Sequence, residues 1–519
     1  MSTLDHRRSG IVLHPTALPG PHGSGDFGPG AYHFVDWLAQ AAQSVWQVLP
    51  LTPIGPGNSP YAGASAFAGN PLLVALEPLI ERGWLAPVEA AATAHFDPRR
   101  VDFGRVIAFR RAQLAAAAAG FFAHASGAER DAFEAYCARE AGWLDDYALF
   151  MALDEAQQHT TATRTWPHWD GPLARREPVA LASARRRLAE AVRFWQFVQW
   201  CFDSQWAALK AYANGKGIHV MGDLPIFVAH HSADCWARPE LYHFDERFEP
   251  LVVAGVPPDY FSATGQRWGS LLYRWDVMER EHFAWWIARM RRQLAWADLV
   301  RIDHFRGFAG YWEIPAASPT AIDGRWVPAP GAKLFHALGK ALGHVPVVAE
   351  DLGVITADVV ELLEGFALPG MRVLQFAFAA DASNAYLPHN YVRNTVVYTG
   401  THDNDTARGW WDKATAHERG FATAYLGCDA TNVHSTMVRA ASASVAQLAL
   451  FPLQDVLGLD GAHRMNTPGQ TGCWEWRFTW DLVAPDAAQQ LASVSAAHGR
   501  APLGKLKLAP WPAGIPLPS

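Results

Sequence analysis

The chain has 519 residues, half of them hydrophobic, 18% charged, with a formal net charge of −7. At about 100–200 residues per domain, that length fits two to four domains or one large barrel with insertions. The acidic balance, with no Lys/Arg run longer than the three residues at 185–187, argues against nucleic acid as the main partner.

Five cysteines lie far apart with no CxxC spacing, which argues for reduced thiols and against a disulfide framework or a zinc site. The N-terminus has a basic pair, Arg7-Arg8, but no apolar stretch of signal-peptide type. Residues 115–120 are alanine-rich but too short to cross a bilayer, and no run of about 18 apolar residues is read. A cytoplasmic protein without a membrane span is therefore expected. The 23 tryptophans, 27 phenylalanines and 13 tyrosines exceed what a core needs and hint at a groove that stacks flat ligands or sugar faces.

Eight short apolar runs follow one another: residues 10–15, 44–51, 218–228, 299–305, 345–352, 371–378, 395–403 and 448–457. Each is apolar throughout rather than alternating, as strands buried on both faces are. Helical patterns lie between them, at 281–296, 330–342 and 357–365, the last with Gly365 as a stop. The expected fold is α/β, a (β/α)8 or TIM barrel; a doubly wound open sheet is the alternative.

The stretch 52–217, between the second and third strands, is too long for a barrel connection and is expected to be a mostly helical inserted subdomain. Its candidate helices are 105–125, 128–158 and 179–213, the last stopped by Asn214-Gly215. A second insertion, 229–270, is rich in Pro, Asp and aromatics and reads as a loop that walls or covers an active site.

Acidic residues stand at four strand ends: Asp223 on the third, Asp303 on the fourth, Glu350 and Asp351 on the fifth, Asp403 and Asp405 on the seventh. Carboxylates gathered at a barrel mouth repel one another and need a counter-charge; Arg301 and Arg306 flank Asp303 and are expected to hold it ionised. Two carboxyl groups about 5–5.5 Å apart are what retaining glycoside chemistry requires, and adjacent strands four and five suit the pair. Blander readings stand beside this one. Asp303 and Glu350 can be structural ion pairs, and His402 with Asp403 and Asp405 a metal site or a helix cap, although no HxH or HExxH spacing supports a metal. His14 and His230 read as satisfied interior histidines, and most tryptophans, such as Trp285 and Trp286, as core.

These motifs resemble those of glycoside hydrolase family 77, the 4-α-glucanotransferases of the α-amylase clan. The resemblance begins at residues 10–20 (GIVLHPTALPG) and 25–28 (GDFG). It continues through 47–51, 59–61 (SPY), 222–226 (GDLPI), 255–261 and 265–269, then the strand-end motifs, and ends at 464–469 (RMNTPG) and 474–477 (WEWR).

The resemblance implies transfer of an α-1,4-glucan segment to the 4-hydroxyl of an acceptor glucan, maltooligosaccharide or glucose, by a retaining double displacement through a covalent glucosyl-enzyme; an α-1,4-glucan hydrolase on the same scaffold is the alternative. It makes Asp303 the nucleophile, Glu350 the general acid/base with the higher pKa, and Asp403 the transition-state stabiliser. Arg301 would orient Asp303, while His402 and Asp223 would bind the donor sugar over a Tyr61 platform. Tyr260 and Phe261, beside Pro257-Pro258, would sit on a loop over the cleft, followed by Gln266 and Trp268. Asn466 would edge the cleft and Phe376 line the acceptor side.

The resemblance also implies one catalytic domain over 1–519 without a C-terminal β-sandwich, no cofactor and no calcium. The chain departs from the family pattern at Ser270-Leu271, often Asn-Pro, at His231, often Asp, and at Cys473, often Asn. A buried apolar role is expected for Cys473.

Overall fold

The computed structural model describes residues 6–158, 165–258, 262–353 and 355–502. Its twelve strands are β1 (Arg8–Val12), β2 (Val45–Gln47), β3 (His219–Pro225), β4 (Val252–Val256), β5 (Gln266–Leu271), β6 (Leu299–Asp303), β7 (Gly310–Pro315), β8 (Arg325–Pro328), β9 (Val347–Ala349), β10 (Gly370–Val373), β11 (Thr395–Tyr398) and β12 (Leu448–Pro452).

Eight of them form one parallel sheet in the order β10-β11-β12-β1-β2-β3-β6-β9. Its two edge strands meet where the Ala349 N–H donates to the Pro369 carbonyl at 2.9 Å, so the sheet closes into the expected (β/α)8 barrel. The strands are buried along nearly their whole length, which is why they read as continuous apolar runs. Gly10 is required in β1: a Cβ there would lie 2.2 Å from the Val45 carbonyl oxygen of β2. All eight strands point their C-terminal ends at one face, where the (β/α)8 architecture places functional residues.

Between β2 and β3 the chain is mainly helical, with Phe103–His124, Gly127–Gln158, Pro178–Arg187 and Ala189–Gly215 as its longer members. The single helix expected over 179–213 is two helices, broken at Leu188, which packs inward. The second helix runs past the expected stop. Gly217 takes the left-handed conformation (φ 78°), with Ile218 N–H bonded to Ala213 O and Gly217 N–H to Asn214 O, a Schellman end.

Helix Phe103–His124 is long and apolar enough, by length and mean hydropathy alone, to span a bilayer, although Arg105, Arg110 and Arg111 interrupt it. In this fold it turns Val106, Arg110, Leu114, Ala118 and Phe121 inward, and Arg110 pairs with Asp26 at 2.6 Å.

Three further expectations need correction. Residues 229–270 are not simply loop: β4 and β5 join β7 and β8 in an antiparallel sheet ordered β5-β4-β7-β8. Half of that sheet comes from the segment after β6, and Gly255 hides its strand signal because β5 passes where a Cβ would stand, 2.1 Å from Gln266 O. The sixth barrel strand stops at Val373, and Leu374–Phe378 coil into a 3-10 turn. The helix expected from 281 starts at Ala284, since His282 and Phe283 both have positive φ. Among the described residues after β12, short turns and helix Ala487–Ala497 occur and no β-sandwich.

Candidate active site

Strand register builds the centre of the site. Asp223 of β3 pairs with Arg301 of β6, and Pro225 with Asp303, while Ile302 pairs with Ala349 of β9, so Glu350 emerges beside Asp303. Arg301 and Asp303, two residues apart on one strand, point to the same side. The Arg301 guanidinium donates through Nη1 to both oxygens of Asp223 at 2.7 Å and through Nη2 to Asp303 Oδ1 at 2.9 Å. Arg306, expected to share this task, does not: its guanidinium lies 3.8 Å from the Trp326 ring centroid and donates to Thr356 Oγ1 at 3.0 Å.

Glu350 is held differently. Its Oε2 accepts from the His304 N–H at 2.7 Å and its Oε1 from the Leu352 N–H at 3.0 Å, and it makes no ion pair among the described residues. The His304 donor is aimed by a left-handed backbone (φ 52°) directly after the nucleophile candidate. Burial, reinforced by the Asp303 charge, pushes Glu350 up to about 7 against the opposing pull of Arg301 and the two backbone donors. Burial raises Asp303 as well, but there a guanidinium in direct contact opposes it. The barrel-mouth salt bridge considered for Glu350 is not formed among the described residues, whereas the ion pair considered for Asp303 is present, with Arg301.

Tyr61 stands on a short turn, Pro60–Ala62, capped by the Ser59 hydroxyl. Its hydroxyl donates to Asp223 Oδ2 at 2.7 Å, and burial beside that carboxylate keeps it protonated. Its ring stacks on His402 at 5.1 Å and 17°. The Asp223 side chain is fully buried and takes its bonds from Arg301 and Tyr61.

Asp403 projects its carboxylate outward, 44% exposed, with Oδ1 accepting from Asn466 Nδ2 at 2.6 Å and 3.3 Å from His402 Nε2. The metal reading of this strand end finds no support: Asp405 turns away to Lys413 and caps the Thr406 N–H. Asp351 likewise turns to Arg372 at 3.1 Å.

At the rim, Trp268 of β5 meets the His304 ring edge-on at 4.7 Å and 89°, and its Nε1 donates to Gln266 Oε1 at 3.1 Å. Phe376 stands on the turn after β10, 38% exposed, against Tyr386. Tyr260 and Phe261 lie outside the described residues.

His304 and Trp474, which lie in the quoted motifs without an expected role, also stand beside the carboxylate cluster. Trp474 packs against both Tyr61 and His402, at 5.8 Å each, from a positive-φ backbone (70°) that no side-chain pattern announces. His230 is satisfied by the Phe248 carbonyl at 2.9 Å. His14 is less well satisfied: the Leu49 backbone is its one hydrogen-bonding neighbour and the contact is poorly aligned, and burial depresses its pKa to about 3. It lines a cavity of about 20 Å³ with His402, Thr401, Gln454 and Arg464.

The departures from the family pattern are also placed. His231 bonds Asp154 at 3.0 Å and accepts from the Trp166 N–H at 3.2 Å, tying the helical insertion to its neighbour. Leu271 is a buried strand residue paired with Val253. Cys473 is buried but polar in use, its Sγ accepting from the Thr467 N–H at 3.3 Å.

Two features lie apart from the carboxylate cluster. A cavity of about 530 Å³ opens between helices Pro29–Gln40, Glu77–Glu81 and Ala189–Gly215. His22, Asp26 and Glu77 group as metal-ligating types, but both Asp26 oxygens are already engaged, by Arg110 and by the Gly28 N–H.

A profile of the family described as 4-alpha-glucanotransferase, glycoside hydrolase family 77, matches residues 13–482. A 4-alpha-glucanotransferase of Thermus thermophilus is 50% identical over 503 residues, 95% of this chain and 99% of that protein. One of Synechocystis sp. is 49% identical over 502 residues, 96% of this chain and 99% of that protein. The amylomaltase of Streptococcus agalactiae, solved in complex with acarbose, matches with a TM-score of 0.90 at 36% identity, covering 96% of this chain and all of that one.

Proposed function

Because this chain belongs to the 4-alpha-glucanotransferase family and is a glucan-transferring enzyme, we propose that it moves a segment of an α-1,4-glucan to the 4-hydroxyl of an acceptor glucan, maltooligosaccharide or glucose by a retaining double displacement. Asp303 is the nucleophile, Glu350 the general acid and then base, and Asp403 the group that stabilises the oxocarbenium-like transition state. One observation carries this reading: two carboxyl groups on adjacent strands are held in different ways, Asp303 by a guanidinium and the buried Glu350 by backbone donors only.

In the first step Asp303 Oδ2 forms a bond to the anomeric carbon, since Oδ1 is engaged by Arg301. The glycosidic C–O bond breaks, and the Glu350 proton passes to the departing oxygen. In the second, the acceptor hydroxyl gives its proton to the Glu350 carboxylate, its oxygen bonds the anomeric carbon, and the bond to Asp303 breaks. Asp403, positioned by Asn466 and His402, meets hydroxyls of the donor sugar above Tyr61. Trp268, Gln266 and Phe376 line the acceptor approach, where aromatic faces hold sugar C–H patches. Lid roles for Tyr260 and Phe261 rest on the family resemblance. The same reading takes 1–519 as one catalytic domain in which 52–217 and 229–270 are insertions, working in the cytoplasm on neutral glucans.

Incubation of the purified protein with maltotriose tests it. Transfer gives glucose and longer maltodextrins at constant total reducing ends. A rise in reducing ends identifies the hydrolase instead, and an unchanged chromatogram rules out both.

A further inference from the structure

We propose that Arg464 is a positioning residue for the transfer reaction, fixing Asp403 and Asn466 as one unit; this rests on the proposed role of Asp403. The Asn466 amide already donates to the Asp403 carboxylate at 2.6 Å. The Arg464 guanidinium ties the same two residues a second time, through their backbones: Nε donates to the Asn466 carbonyl at 2.5 Å, and Nη2 donates to the Asp403 carbonyl. Its Nη1 lies 3.9 Å from Asp405 Oδ2, so the fork is aimed from a third side.

The loop that bears Asn466 is closed on itself. The Trp474 N–H donates to the Met465 carbonyl at 2.8 Å, and the Thr467 N–H to Cys473 Sγ. Met465 is buried, and Trp474 packs on Tyr61 and His402. A self-contained loop holds its own shape, but its register against the end of β11 must be set from outside, and the Arg464 fork spans that junction. A planar guanidinium donates in two fixed directions at once, which a lysine ammonium on a flexible stem does not reproduce. Misplacing a transition-state contact by about 1 Å costs on the order of a hundredfold in rate. Arg464 therefore acts on turnover through Asp403, without touching the sugar.

The test follows initial glucose release from maltotriose in Arg464→Gln, Arg464→Lys, Asn466→Ala, the Arg464→Gln/Asn466→Ala double variant and Asp403→Asn, each checked by circular dichroism. Arg464→Gln is expected to lower kcat by roughly 10–100-fold with KM within about threefold, and Arg464→Lys to recover part of it. Added to Asn466→Ala, Arg464→Gln should cost less than about threefold more, because both remove one coupling. Undiminished kcat in Arg464→Gln, a loss confined to KM, or full multiplication of the two single losses overturns the proposal. Should Arg464→Gln fail to fold, the same comparison is made with Arg464→Lys, with and without Asn466→Ala. Asp403→Asn separates the layers: full activity there overturns the site reading beneath, whereas an inactive Asp403→Asn beside a fully active Arg464→Gln overturns only the positioning role.

Discussion

Arg301 donates to Asp303 at 2.9 Å with one amino group while its other is held at 2.7 Å by both oxygens of Asp223. The Asp223 carboxylate is wholly buried and takes a further bond from Tyr61, so the guanidinium has little freedom and Asp303 inherits its orientation. Arg301→Lys keeps the charge but loses the fork. It is expected to lower kcat by about a hundredfold with native circular dichroism. Activity within about threefold of wild type would show that the fork does not orient the nucleophile.

Removing the other end of the same pair should show in stability. Asp223→Asn leaves a buried guanidinium with half its counter-charge gone, and urea unfolding is expected to report a loss of about 3–5 kcal/mol. A loss below about 1 kcal/mol, the range of an exposed pair, would mean that solvent reaches Arg301.

In the proposed mechanism the Glu350 carboxyl, raised by burial and by Asp303 to about 7, must be protonated in the free enzyme to release the first product. kcat/KM should therefore fall as pH rises through about 7. A pH profile of initial glucose release checks this. The alkaline limb should vanish in Glu350→Gln together with nearly all activity; a flat profile well above pH 7 in the wild type would remove Glu350 from the acid role.

His14 is linked to stability with the opposite sign from a salt-bridged histidine. Its folded pKa is depressed from 6.5 to about 3 by burial, so the unfolded chain binds the proton first. The stabilisation is intact above 6.5 and is lost as pH falls from there toward 3, amounting to roughly 3 kcal/mol at about pH 4. Urea unfolding near pH 7 and near pH 4 measures it. The loss on acidification should be smaller by about that amount in His14→Gln, and equal losses in the two proteins would place a proton on His14 in the native state.

Trp268 is 40% exposed above His304 at the rim of the site. Trp268→Ala is expected to raise the acceptor KM by about 3–10-fold, the worth of one aromatic stacking contact. It should also raise the share of intermediates lost to water, read as new reducing ends. An unchanged acceptor KM would take Trp268 out of the acceptor path.

The barrel and its acidic strand ends were legible because each strand is buried on both faces and ends abruptly in polar residues, as with VRID at Asp303 and VVAE at Glu350. The small antiparallel sheet was not, because β4 and β5 find partners in β7 and β8, which lie beyond a barrel strand, and pairing between remote segments leaves no local period. The end of β10 was misread since Leu374–Phe378 stay apolar while they coil. The roles of Arg306 and Arg464 were hidden for a related reason: side-chain direction is decided by tertiary contacts. Adjacency in sequence pointed Arg306 at Asp303, whereas Arg464, distant in the chain, reaches the Asp403 backbone. Trp474 takes its place through a left-handed backbone that a tryptophan does not advertise.

The covalent step is the centre of the proposed mechanism, and it is open to direct capture. Glu350→Gln, given an α-maltosyl fluoride whose leaving group needs no proton, retains the nucleophile but lacks the base for the second step. Intact-protein mass spectrometry should show the mass of one maltosyl unit added, and peptide mapping should place it on the segment that contains Asp303. An unmodified protein after the fluoride has been consumed, or a label on any other residue, would contradict the assignment of Asp303 as nucleophile.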